Sequence, residues 1–235
     1  MTSDTGPTEE AAFRRRIEPQ EFAAFFDPKQ LRKETCLLYE ILWNRSQKIW
    51  RHSVENTNKH AEVNFKEKFT ADFHPAVHCT IIWFLSWSPC SECSRVIREF
   101  LSQHPNVTLI IYVARLYHHL NESNRQGLRD LRNSGVRIQV MKVPDYHYCW
   151  RNFVNYSPGE EGNCPRFPHE LMNLYSLELH CIFLSLPSCF KISRRHKTLN
   201  WFTLTLQNCH YEMFPPHILS VVAYDFRSPL YSNFL

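Results

Sequence analysis

Glycine is scarce. The 235-residue chain has five, at positions 6, 127, 135, 159 and 162. None completes GxxxxGK followed by Ser or Thr, and none completes GxGxxG, so a P-loop and a dinucleotide-binding turn are both excluded. Long hydrophobic runs are also missing. The longest, 81–85 and 107–113, fall far short of a bilayer span. Residues 1–16 are polar and end in Arg14-Arg15-Arg16 with no apolar segment behind them, which does not read as a secretory signal. Nine cysteines is an odd number, whereas a disulfide framework wants an even one. The chain is therefore expected to be soluble and cytosolic, with no membrane contact, its cysteines thiols or metal ligands. Acidic residues are absent from 179–211, where Lys191, Arg194, Arg195 and Lys197 cluster. The net charge is only +4, so these clusters fit either a solvated surface or a polyanion partner.

What is present is patterned. The apolar fraction of 43% suffices for one core. A short helix is expected from Glu18-Pro19 to Phe25 or Phe26, stopped by Asp27-Pro28. Residues 35–43 read as a strand, with 47–53 able to pair with it. Residues 60–69 read as a helix. The apolar β-branched runs 77–85, 107–113 and 136–141 read as buried strands. Between them lie helical stretches, from Ser88-Pro89 to about Gln103 and over 121–133. Strand–helix–strand repeated this way implies parallel strands with crossover helices, an α/β class. Residues 144–153 and 169–183 read as two further helices. Then come a basic linker at 187–197 and alternating or apolar strands at 200–207 and 218–224. The chain divides into a polar, basic, flexible lead (1–16), one domain (17–186) and a hydrophobic extension (187–235).

Chemistry concentrates at two helix starts. His60 and Glu62 stand at one, and Cys90 and Cys93 stand in the first turn of the other. One imidazole and two thiols suit Zn²⁺, and three ligands leave a position for water, the catalytic pattern. A helix N-terminus favours the thiolates. Bound zinc brings the pKa of its water to about 7. Glu62 is best kept off the metal, as a proton shuttle. Positions i and i+2 of a regular helix do not share a face, so His60 and Glu62 approach one site only at a helix end. Two alternatives are a closed zinc site completed by His74, His78 or Cys79, and a redox CxxC pair.

The order H-x-E…P-C-x-x-C is the zinc deaminase signature. With Ser86-Trp87-Ser88-Pro89-Cys90 and Tyr112-Val113-Ala114-Arg115-Leu116-Tyr117, it resembles the AID/APOBEC family of polynucleotide cytidine deaminases. Further likeness, over about residues 14–219, is to the branch that edits apolipoprotein B mRNA. It is carried by RRRIEP (14–19), RQGLRDLRNSGV (125–136), CWRNFVNY (149–156), ELHCI (178–182), KISRR (191–195), LQNCHY (206–211) and PPHIL (215–219). The resemblance implies a cytidine deaminase fold, with a five-stranded mixed sheet and about six helices. It implies one zinc per subunit and C-to-U conversion in single-stranded RNA, and in single-stranded DNA, with Glu62 moving the protons. By similarity the Ala61 amide holds the base carbonyl, the Ser86 carbonyl accepts from the exocyclic amine, and Trp87 walls the pocket. Thr35 and Tyr117 contact the nucleotide, with Asn56 or Asn58 on the sugar. Arg32 and Lys33 match basic positions at the mouth of the groove, where phosphate contacts are expected, and Arg115 is counted with the substrate-binding residues. His118 departs from relatives that carry an acidic residue there.

The extension holds Phe202, Leu204, Leu206, Phe214, Ile218, Leu219, Val221 and Val222, an apolar set that must be covered. It is expected either to fold onto the core or to make a homodimer or bind an RNA-binding complementation protein of RRM type. Arg14–Arg16 with Arg32–Lys33 resembles a loose nuclear import signal. Leu171, Leu174, Leu177 and Leu179 fit an export signal or a helix core. The expected location is nucleus and cytoplasm. A free-nucleoside deaminase, and a nucleic-acid-binding protein with an idle zinc site, are the competing functions.

Overall fold

The computed structural model describes residues 16–43, 48–160, 162–188, 190–196 and 199–206. β1 (Cys36–Trp43) pairs antiparallel with β2 (Ile49–Glu55) and, on its other side, with β3 (Cys79–Leu85). β3 runs parallel to β4 (Val107–Val113), and β4 parallel to β5 (Arg137–Val140). The sheet is therefore five-stranded and mixed, in the order β2-β1-β3-β4-β5. The crossovers are α3 (Ser91–Gln103) and α4 (Glu122–Asn133), as the strand–helix alternation implied.

Helices cover both faces, which is why β1 and β3 are apolar without strict alternation. One face packs α2 (Ala61–Asp72), α3, α4 and α6 (His169–Phe183). On α2 the spacing of Ala61, Phe65 and Phe69 puts one stripe inward. Phe65 there meets Tyr39, Trp83 and Phe100 edge-on. The opposite face packs α1 (Pro19–Phe26) and α5 (Val143–Phe153), with Phe22 in edge contact with both Trp150 and Phe167. The 14% aromatic content is thus largely core. Leu171, Leu174 and Leu179 are buried in α6, so these leucines form helix core. Cys36, Cys79, Cys149, Cys164 and Cys181 are buried thiols outside any disulfide, while Cys189 and Cys209 lie outside the described residues.

Three sequence expectations need correction. Ser88 does not cap α3. Its hydroxyl accepts from the Tyr117 amide (2.9 Å) and its own amide donates to the Arg115 carbonyl (2.8 Å), so it joins two strand ends. Cys90 caps the helix instead, its sulfur accepting from the Cys93 amide. The expected linker 187–197 contains a strand, β6 (Phe190–His196), paired antiparallel with β7 (Leu199–Leu206). The charged side chains there hid a pairing that resides in the backbone. The second strand runs two residues later than expected, because its register is set opposite β1, Cys36 against Glu55. The expected strand at 218–224, the flexible lead at 1–15 and the rest of the extension lie outside the described residues. Among the described residues, no helix is long and apolar enough to cross a membrane.

Candidate functional site

The register of the sheet gathers the site at one edge. β3 and β4 are parallel and end together, and β1 begins where they end. Thr35 precedes β1, Asn56 follows β2, Ser86 and Trp87 follow β3, and Arg115 to Tyr117 follow β4. Short bonds close this edge: Asn56 N–H to the Thr35 carbonyl (3.1 Å), Cys36 N–H to Ser86 Oγ (3.0 Å) and Ala114 N–H to the Leu85 carbonyl (2.9 Å). Ligands commonly bind beyond the carboxyl ends of parallel strands.

α2 and α3 both start at this edge. His60 is the N-cap of α2, with extended backbone (φ −66°, ψ 151°), and Cys90 is the N-cap of α3. Because His60 stands outside the helix proper, His60 and Glu62 are not bound by the helical spacing that would put them on different faces. His60 Nδ1 lies 3.2 Å from Cys93 Sγ and 3.7 Å from Cys90 Sγ, and the three donor atoms fall within 4.8 Å of one another. A tetrahedral zinc with ordinary bond lengths places such donors about 3.5 Å apart, so this donor set fits zinc. The closed-site alternative fails on distance. His74 and His78 lie beyond the far end of α2, about 18 Å of helix away, and Cys79 opens β3 at the opposite sheet edge.

Electrostatics follow from the two helix starts. The Cys93 side chain and amide hydrogen-bond Cys90, and with His60 nearby they bring its pKa down to about 5. The Cys93 pKa is raised by that bond and by burial. Glu62 is 3% exposed, and burial pushes its carboxyl up to about 7, with the Cys90 charge adding to the effect.

Around this centre the substrate candidates divide. The Asn56 side-chain oxygen accepts from the Ala61 amide (2.8 Å), which sets Asn56 against the α2 start. The same bond occupies the amide assigned to the base carbonyl. Asn58 is exposed and bonded to Thr57 instead. Trp87 is pinned by its indole N–H to the Arg32 carbonyl (2.8 Å), and Tyr117 meets it edge-on at 6.1 Å. Arg32 stacks on Phe25 and pairs with Glu34, and Lys33 beside it is exposed.

Arg115 is a correction. It is 0% exposed, and its guanidinium donates to the carbonyls of Ser86 (3.0 Å), Phe25 (2.5 Å), Asp27 (2.8 Å) and Gln30 while stacking on Trp87. Burial lowers its pKa to about 10, so it stays charged at neutral pH. It holds the rim together from inside, its guanidinium committed to the protein's own carbonyls and not exposed to substrate. Sequence reasoning also missed Asn124. Its side-chain oxygen accepts from the Ser91 amide (2.9 Å), satisfying an orphan donor of the first turn of α3. Gly127, one turn on, lets α4 approach so closely that a Cβ there would lie 2.9 Å from Ser94 Oγ. The glycine in RQGL was the only sequence signal of that approach.

Comparison with known proteins agrees with this geometry. Residues 25–156 match the family model described as APOBEC4-like AID/APOBEC deaminase. The chain is 63% identical over 223 residues to the C->U-editing enzyme APOBEC-1 of Homo sapiens, covering 93% of this chain and 94% of that one. It is 60% identical to the enzyme of that name from Mus musculus, covering 93% and 97%. It is also 40% identical over 101 residues to the DNA dC->dU-editing enzyme APOBEC-3G of Lagothrix lagotricha, covering 43% and 26%. With the family model spanning more than half of its length and the signature residues converging at one sheet edge, the chain belongs to the AID/APOBEC deaminase family.

Proposed function

We propose that the chain converts cytidine to uridine within single-stranded polynucleotide, site-specifically in mRNA such as apolipoprotein B mRNA and also in single-stranded DNA, and that it needs one zinc ion per subunit. The observation that carries this reading is a buried carboxyl, Glu62, beside three converging soft donors. His60, Cys90 and Cys93 would hold the ion, and zinc in such a three-ligand site supplies an activated water at neutral pH. Glu62 has a pKa of about 7, so it both accepts and gives protons near neutrality. It takes a proton from water, delivers it to N3 of the base, and passes a second to the departing amine, so cytidine and water become uridine and ammonia. The Ser86 carbonyl gives one lone pair to Arg115 and keeps the other for the exocyclic amine. Trp87 and Tyr117 offer ring surface, and a base stacked on an aromatic gains about 1–3 kcal/mol whatever its identity. Thr35 and Asn56 line the entrance, and Arg32 with Lys33 meets phosphate. The names of the relatives support both RNA-type and DNA-type editing. The apolar extension supports a homodimer and docking of an RRM-type RNA-binding protein. Arg14–Arg16 supports a location in both nucleus and cytoplasm.

The test incubates purified protein with cytidine, single-stranded DNA and an AU-rich RNA, with and without Glu62→Gln. Uracil from polymer only, falling about 10²–10⁴-fold in the variant with zinc retained, is the expected result. Activity on free cytidine would point to a nucleoside deaminase. Binding without uracil would point to a nucleic-acid-binding protein with an idle metal.

A further inference from the structure

The loop Tyr117–His119 is pinned at its ends. The Tyr117 amide donates to Ser88 Oγ (2.9 Å), and its carbonyl accepts from Asn124 Nδ2 (3.5 Å). The His119 carbonyl accepts from Arg125 Nη1 (3.1 Å). Between these points His118 has φ 39°, a left-handed conformation that an L residue holds only when its surroundings impose it. Arg125 is itself buried and cannot hold the loop alone, because a buried cation needs a partner. Its buried partner is Glu178 of α6, 0% exposed, whose Oε1 accepts from the same Nη1, while exposed Glu122 lies 3.6 Å from its Nε. Glu178 Oε1 also lies 3.5 Å from His119 Nδ1, and Oε2 accepts from Ser188 Oγ (2.9 Å). Arg125 Nη2 donates to the Leu186 carbonyl. One ion pair thus reaches the loop on one side and the segment leaving α6 on the other.

We infer that Arg125 and Glu178 are positioning residues for the substrate loop, holding His119 and hence Tyr117 in the setting that receives polynucleotide. This rests on the reading of Tyr117 as a nucleotide contact. The bonds of this pair go to the His119 carbonyl and ring and to Leu186 and Ser188, so its removal should weaken substrate capture and spare the chemical step. The pair costs desolvation, and swapping both members for apolar residues of similar size is often tolerated where removing one is not. That makes Arg125→Met/Glu178→Met the informative variant beside Arg125→Met alone.

Single-stranded polynucleotide deamination is measured at varied substrate for wild type and double variant, with thermal melting, zinc content and amide hydrogen exchange. The expected result is a KM raised about tenfold, kcat within about twofold, zinc retained, and faster exchange confined to residues 117–121. An unchanged KM, a loss of kcat equal to the rise in KM, exchange spread through α4 and α6, or failure of the double variant to fold would overturn the inference. Wild-type protein inactive on polynucleotide would instead refute the proposed function, so the two failures are distinguishable.

Discussion

The metal corner and the substrate rim lie side by side but are built differently. The corner is local. Cys90 and Cys93 belong to one helical turn, and His60 and Glu62 are two residues apart at another helix start. The rim is long-range. Arg115 reaches carbonyls of Phe25 and Asp27 some 90 residues upstream, and Trp87 reaches Arg32. Chemistry that must be placed to a fraction of an ångström sits on helix caps, which define their own geometry. The surface that must accept a flexible strand is assembled from loops, and buried arginines hold those loops in one arrangement.

That contrast can be broken at either side. The largest effect is expected from Cys93→Ala, which should leave less than about a tenth of an equivalent of zinc and reduce activity about 10³-fold or more, by metal analysis and a single-turnover assay. Next, Arg115→Met strips four carbonyls of a charged donor in a buried site. It should cost about 3 kcal/mol and lower the melting temperature by roughly 10 °C, while the zinc stoichiometry of the folded fraction stays unchanged. Loss of zinc in step with the rim would show that corner and rim are one unit. A smaller effect is expected from Trp87→Phe, which keeps the ring and loses the bond to the Arg32 carbonyl. KM should rise by about threefold with kcat held, as one neutral hydrogen bond allows. Smallest is Arg32→Ala, which should reduce the slope of log affinity against log salt by about 0.7 on single strands, read from binding titrations at several salt concentrations.

The two regions also differed in how far they could be read from residues alone. The helix and strand succession was legible because both faces of the sheet are covered, so buried strands appear as unbroken apolar runs. The His60, Cys90 and Cys93 grouping was legible because residue type and spacing within a turn are local properties. The cap of α3 was misplaced because Ser88, the better capping residue by type, is drawn off to Tyr117. Arg115 was counted with the substrate-binding residues because it stands where β4 runs into the substrate loop. Only the folded chain shows α1 and its following loop closing over it. Arg125 and Glu178 were read as parts of two separate matching segments, 53 positions apart, with nothing in either to join them.

By itself, the sequence determined the class of fold and the absence of a glycine-rich phosphate cradle, and it picked out three candidate metal donors with a carboxyl beside them. These follow from periodicity and from groupings within a few residues. Tertiary structure alone decided that His60 stands outside its helix and so can share a centre with Glu62. It decided too that Arg115 and Arg125 are buried and bonded to the protein's own carbonyls, and that at Gly127 two helices press together. The physical reason is common to all three. Burial and partner choice are fixed by which distant segments come into contact, and one residue type takes opposite roles in water and in the interior.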